Sequence, residues 1–370
     1  MYGDFSEKLA KLVVKYAVNI QPGDLVQIRS FSNANDLNQE VYREVIKAGG
    51  NIIRFNIDIP GIDEIFFKHA SDEQIKYVDP SAIDFQKRIT KAITIYSSFN
   101  TRELTNIDPV KIKMMSEAKL GLRKIFFERS GKGELKWNLC PYPCLSLAQE
   151  ANMGIDEYRE FVYKALALDT ADPIKHWLNV EYEQEKITNI LNKGKEFHII
   201  GEDTDLTLGI ENRTWINCCG HENLPDGEVF TAPIETAVNG TIRFTYPGIF
   251  TGQEIENIWL KFKDGKVVDF DAAKGKNLLE KVLSMENARI LGELAVGTNY
   301  GIQRFTKNML FDEKMGGTIH LALGFGYPES GSENQSPVHW DILKDMKPKG
   351  SKILLDNEII YEEGKWKIGK

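Results

Sequence analysis

LVQIRSFSNANDLNQEVYREVIKAGGNIIRFNI, residues 25–57, decides the fold of the first half of this chain. LVQIRS (25–30) is a strand-forming run. DLNQEVYREVIKAGG (36–50) has helical spacing, with Asp36 near its start and Gly49–Gly50 at its end, as helix start and stop signals require. NIIRFNI (51–57) is a strand again. Strand, helix and strand in such quick succession imply parallel pairing through a crossover helix.

The rhythm continues outward. KAITIYSS (91–98) and KIFFERS (124–130) are further candidate strands, with VKIKMMSEAKLGLRK (110–124) between them as a helix. MYGDFSEKLAKLVVKYAV (1–18) reads as an amphipathic helix. Asp4 and Glu7 interrupt it and no small-residue cleavage site follows, which makes it a poor signal peptide. The expectation is an α/β domain with a mostly parallel sheet covered by helices.

After about residue 130 the pattern changes. DEYREFVYKALALD (156–169) and ADPIKHWLNVEYEQEKITNILNKG (171–194) read as helices. Short strands and turns follow: EFHIIGEDTDLTLGI, EVFTAPIE, GTIRFTYPGI and IENIWLKFKDGKVVDFDA, the last with a hairpin signal at KDGK. This half is expected to be an α+β domain with a largely antiparallel curved sheet or barrel. The boundary is placed near residue 178, giving domains 1–178 and 179–370.

At 370 residues, two domains are the natural division, and 42% hydrophobic with 27% charged residues is an ordinary globular composition. A net charge of −8 argues against nucleic-acid or anionic-membrane partners. No apolar run reaches the roughly 18 residues of a membrane-spanning helix. Four cysteines are too few for a disulfide-stapled secreted scaffold, so the cytoplasm is the expected compartment.

Candidate chemistry gathers in four stretches of the second half. NLPDGEVFTAP supplies Glu228, ENARILGELAVGTN supplies Glu293, TIHLALGFGYP supplies His320 and Tyr327, and SPVHWDIL supplies His339 and Asp341. Residues two apart on a strand share a face, so His339 and Asp341 point one way and Trp340 the other. Singly, each residue has a plainer reading. His320 alone would be a core histidine, Glu293 a buried ion-pair partner, and Asp341 a turn cap. Together, two Glu, two His and one Asp exceed the three protein ligands of a lone catalytic zinc, and suit two ions about 3.5–4 Å apart. Imidazole and carboxylate donors make Zn, Co or Mn plausible and disfavour a thiolate-preferring metal.

Other signals are weaker. Cys218-Cys219-x-His221 lacks the spacing of a structural zinc site. GFGYPESG follows no strand-to-helix phosphate-loop pattern, and no G-x-S-x-G elbow is present.

In this order, the four stretches resemble the M29 family of metalloaminopeptidases, the aminopeptidase T and aminopeptidase S type. VKYAVNIQPGDLVQI resembles that family's opening helix–strand unit, and ANMGIDEYREFVYKALALDTADPIKHW resembles the segment before its catalytic half. The resemblance implies metal ligands at Glu228, Glu293, His320, His339 and Asp341, and a catalytic Tyr at Tyr327. It further implies two divalent ions activating water against a peptide carbonyl. Glu293 is the first choice for general base, and Tyr327 for donor to the oxyanion. The partners implied are short peptides with a free N-terminus and a second copy of the chain. The α/β domain would help to wall the cavity and support dimerisation. The alternatives are another metallohydrolase, such as an amidase on small substrates, or a non-catalytic metal- and peptide-binding protein.

Overall fold

The computed structural model describes residues 3–368. It divides into two compact units, Met1–Ile174 with Gly220–Leu224, and Lys175–Cys219 with Pro225–Lys370. Among the described residues, no helix is long and apolar enough to cross a membrane.

The first unit is built on four strands: β1 (Leu25–Phe31), β2 (Asn51–Asp58), β3 (Lys91–Tyr96) and β4 (Lys136–Pro141). They pair in parallel in the order β2-β1-β3-β4. In β1, Val26, Ile28 and Ser30 are buried, while the residues between them are not. The crossover helix Asn35–Lys47 buries Leu37, Val41 and Val45, a stripe repeating every four residues that covers the sheet.

One expected strand is a helix. KIFFERS lies inside the helix Leu120–Gly131, and the strand beside β3 is β4, further along the chain. Aromatic and apolar neighbours gave KIFFERS its strand-like look. Tertiary ties decide otherwise. Phe126 packs on Trp137, and the Arg129 guanidinium donates to the carbonyls of Gln86 and Ile89 at 3.1 and 2.6 Å. The segment is thus the crossover between two parallel strands, which an antiparallel-capable hairpin could not supply.

The second unit opens with the helix Pro173–Leu191. Its strands are β5 (Glu196–Gly201), β6 (Thr204–Gly209), β7 (Ile216–Cys218), β8 (Glu228–Thr231), β9 (Val238–Arg243), β10 (Gly248–Phe250), β11 (Gln253–Ile255), β12 (Trp259–Lys263) and β13 (Lys266–Asp271). Then follow β14 (Leu291–Gly297), β15 (Thr318–Gly324), β16 (His339–Asp345), β17 (Lys352–Leu355), β18 (Glu358–Glu362) and β19 (Lys365–Trp366). They form an eight-stranded sheet, β13-β12-β9-β6-β5-β17-β18-β19, a five-stranded sheet, β16-β15-β14-β8-β7, and the small hairpin β10-β11. Every pairing is antiparallel. The β12–β13 turn carries Asp264 and Gly265 with φ of 48° and 83°, the left-handed pair that a tight Asp-Gly hairpin needs.

One apolar core joins the two larger sheets. Ile199, Leu206, Ile242 and Leu260 come from the eight-stranded sheet; Leu294, Val296, Ile319, Leu321, Leu323 and Ile342 come from the five-stranded one. By the period-2 rule, the alternate residues of β14, β15 and β16 therefore face away from this core.

In the first unit, Lys91 opens β3 almost fully buried. Its ammonium donates to the carbonyls of Val18 and Asn19 at 2.7 and 3.1 Å, with Asp24 3.7 Å away. These bonds tie the end of the N-terminal helical segment to the sheet. Lys91→Met removes the ammonium from the Val18 and Asn19 carbonyls and from beside Asp24, whose carboxylate keeps its bonds from Thr90 and Gln21. It is expected to lower unfolding stability by about 2–4 kcal/mol, read as a lower midpoint in urea denaturation with an unchanged slope.

Candidate metal centre

The candidate residues sit on the face of the five-stranded sheet that turns away from the core. Asp341, Ala322 and Glu293 form one row across β16, β15 and β14. His320 and Ala295 form the next, and Gly297 and Glu228 the next, across β14 and β8. His339 stands opposite Gly324 at the end of β15. The residues interleaved with the polar ones are small, which leaves room for the longer side chains to converge.

A bulge makes this arrangement possible. Leu291 pairs with Leu323, yet Glu293 pairs with Ala322, so Gly292 is the extra residue. Leu291 and Leu294 therefore both reach the core while Glu293 swings to the other face. A Cβ at Gly292 would lie 2.1 Å from the Phe325 carbonyl oxygen, so only glycine fits there.

Five side chains from four strands meet. His320 Nε2 lies 3.0 Å from Glu293 Oε1 and 3.4 Å from Glu228 Oε2. His339 Nε2 lies 3.8 Å from Glu293 Oε2 and 3.5 Å from Asp341 Oδ2. Glu293 thus turns one oxygen to each imidazole. Donor atoms of Glu228, Glu293 and His320 lie within 4.8 Å of one another, as do those of Glu293, His339 and Asp341. Donors about 2.0–2.2 Å from a shared cation have mutual separations in this range. Glu228 Oε2 and Asp341 Oδ1 are buried without a hydrogen-bond partner, a costly state that a cation relieves. The residues therefore fit a divalent metal.

Supporting contacts orient the donors. His339 Nδ1 is 2.8 Å from the Phe325 carbonyl, which makes Nδ1 the protonated nitrogen and leaves the Nε2 lone pair for the cluster. The buried Gln184 amide donates to the carbonyls of Glu228 and Cys218 at 3.0 and 2.9 Å, and its oxygen accepts from the Thr298 hydroxyl at 2.6 Å. A single side chain thus pins β7, β8 and the end of β14.

Electrostatics follow from crowding acids in a dry place. Burial pushes Glu228 up to about 8, against the pull of Lys314, and pushes Glu293 upward as well. At His320 burial works downward but is outweighed by Glu293, Glu228 and Asp341, which raise it to about 9. His339 is raised in the same way, chiefly by Asp341 and Glu293 against burial. Protons occupy sites that a cation would take, so the two compete.

Tyr327 stands just beyond β15, its ring 5.1 Å from that of His339 and also against Phe230 and Phe325. Although the residue is 37% exposed, burial of its hydroxyl, then Glu293 and Asp341, push the phenol well above its ordinary range. It remains a protonated donor.

Three neighbours escaped the sequence reading. Asp226, Glu313 and the fully buried Lys314 adjoin the cluster: Lys314 Nζ contacts Glu228 Oε1, and lies 2.7 Å from Glu313 Oε1 and 3.7 Å from Asp226 Oδ1. Glu313 also has a donor atom within 4.8 Å of those of His320 and Asp341. DEKMGG and PDGE look like solvated turns, and no local pattern marks them as interior. Cys218 lies near Asp226 and Glu228, and burial raises its thiol well above the usual value, as expected of a small apolar filler.

Comparison with known proteins places the chain in a family. The profile described as thermophilic metalloprotease (M29) covers residues 4–366. Aminopeptidase 2 of Geobacillus stearothermophilus is 27% identical, with 97% of each chain covered. Aminopeptidase AmpS of Bacillus subtilis (strain 168) is 26% identical over 98% of this chain and 99% of its own. The solved structure of wild-type AmpT from Thermus thermophilus shares the fold over the whole of both chains, with a TM-score of 0.83 at 21% identity. By a match that spans almost its entire length, this chain belongs to the thermophilic metalloprotease (M29) family.

Proposed function

We propose that this protein is a metal-dependent aminopeptidase that releases N-terminal amino acids from short peptides, using two divalent cations held by Glu228, Glu293, His320, His339 and Asp341. The observation that carries this is the shared carboxylate: Glu293 offers one oxygen to the His320–Glu228 group and the other to the His339–Asp341 group. Charge supports the count. When ionised, the five carboxylates of Asp226, Glu228, Glu293, Glu313 and Asp341 stand against one ammonium, and two divalent cations balance the remainder. All-nitrogen and oxygen donors favour Zn, Co or Mn.

Bound there, the cations supply Lewis acidity at the scissile carbonyl and an acidified water. The chain's own groups do the rest. Glu293 is the first choice to accept the water's proton, which requires one of its two donor oxygens to shift. Tyr327, kept protonated, donates a hydrogen bond to the oxyanion. His339, anchored through Nδ1 to Phe325, keeps a fixed orientation while the charge develops. The relatives' names, Aminopeptidase 2 and AmpS, support the choice of a free N-terminus over an internal peptide bond.

The first unit bears exposed apolar residues close together in sequence, Ile57, Ile59, Ile62, Ile65 and Phe66, which support pairing with a second copy. Four cysteines, too few for a disulfide-stapled scaffold, support a cytoplasmic setting.

Three outcomes are expected. Aminoacyl-p-nitroanilides are cleaved only when the metal-stripped protein is resupplied with Co²⁺, Zn²⁺ or Mn²⁺, and the N-acetylated analogues are not cleaved; cleavage of the acetylated control would select the amidase reading instead. Glu293→Gln lowers kcat by about 10²–10⁴-fold even at saturating metal; near-full activity would remove Glu293 from that role. Size exclusion with light scattering gives twice the chain mass at micromolar concentration, and a mass of one chain would refute the dimer.

A further inference from the structure

Lys314 is 2% exposed in a cluster otherwise made of acids and imidazoles. Burying an ammonium is costly unless it is fully paired, and here three carboxylates surround it. Burial opposes its charge, yet Glu228, Glu313 and Asp226 hold its pKa well above the ordinary value. Its contact with Glu228 is to Oε1. The other oxygen, Oε2, is the one that faces His320 Nε2 and has no hydrogen-bond partner.

We propose that Lys314 is a positioning residue for the metal centre: by holding Oε1 it limits Glu228 to a single donor oxygen and keeps a coordination position free for water and substrate. The inference rests on Glu228 being a metal ligand, as read above. A carboxylate with both oxygens free can chelate a cation, which binds more tightly but fills a place that catalysis needs open. A fixed positive charge close to the site also weakens cation binding and raises the demand that bound cations place on water and carbonyl oxygens. Lys314 therefore exchanges metal affinity for reactivity. A purely structural lysine would not do this, because its removal would loosen the site and weaken binding.

The test is calorimetric titration of the metal-free full chain with Mn²⁺, alongside kcat and KM on a free-amine aminoacyl-p-nitroanilide at saturating metal. In Lys314→Met, Mn²⁺ is expected to bind at least tenfold more tightly, and kcat to fall at least tenfold with KM within threefold of the parent. If that variant does not fold, the double variant Asp226→Asn with Lys314→Met removes one buried charge of each sign and carries the same readout. Mn²⁺ affinity equal to or weaker than the parent's, or an unchanged kcat, overturns the role of Lys314 while leaving the ligand set standing. A parent chain that binds no Mn²⁺ overturns the ligand set, and this inference with it.

Discussion

The alternation of side chains across one antiparallel sheet is the constraint from which the rest follows. On β15, β16 and the part of β14 beyond the Gly292 bulge, every second residue enters a core shared with the eight-stranded sheet. The residues between are forced onto the opposite face, and there the acids and imidazoles collect. The core makes this face rigid. A one-residue slip in any of the three strands would drive Glu293, His320 or Asp341 into the hydrocarbon interior, so the same burial that stabilises the unit also sets the register of the site.

Concentrating that much negative charge in a dry region opposes folding unless something compensates. Lys314 supplies part of the compensation from within the chain. The Gln184 amide donates to the backbone and the Phe325 carbonyl accepts from His339 Nδ1, which holds both in place. What is left over, buried oxygens of Glu228 and Asp341 without donors, is a need for positive charge that a divalent cation would meet. Stability and metal binding are coupled through the same atoms.

The candidate donors were legible mainly through the order of the four stretches, which carries the family resemblance, and local rules added only their direction. His339-x-Asp341 displays two donors on one face by period alone, and Glu293 among small and apolar residues calls for a partner. Asp226, Glu313 and Lys314 were not legible. A run such as DEKMGG has the composition of an exposed turn, and only the neighbours brought by distant strands make Lys314 one of the most deeply buried side chains. KIFFERS failed in the opposite direction: its apolar look suggested a strand, whereas Arg129 and Phe126 find their partners from a helix.

The sequence by itself determined the two-part plan, a parallel sheet with crossover helices followed by antiparallel strands, because hydrophobic period and turn chemistry act over a few residues. It also determined which donor types were on offer and hence the class of metal they suit. Tertiary structure alone decided that Gly292 would be a bulge, since the clash that demands glycine comes from the Phe325 carbonyl on a loop more than thirty positions away. It alone decided that one oxygen of Glu228 would belong to Lys314 and the other to His320. Such allotments depend on the approach of separate strands in space, and no pattern within a single strand encodes them.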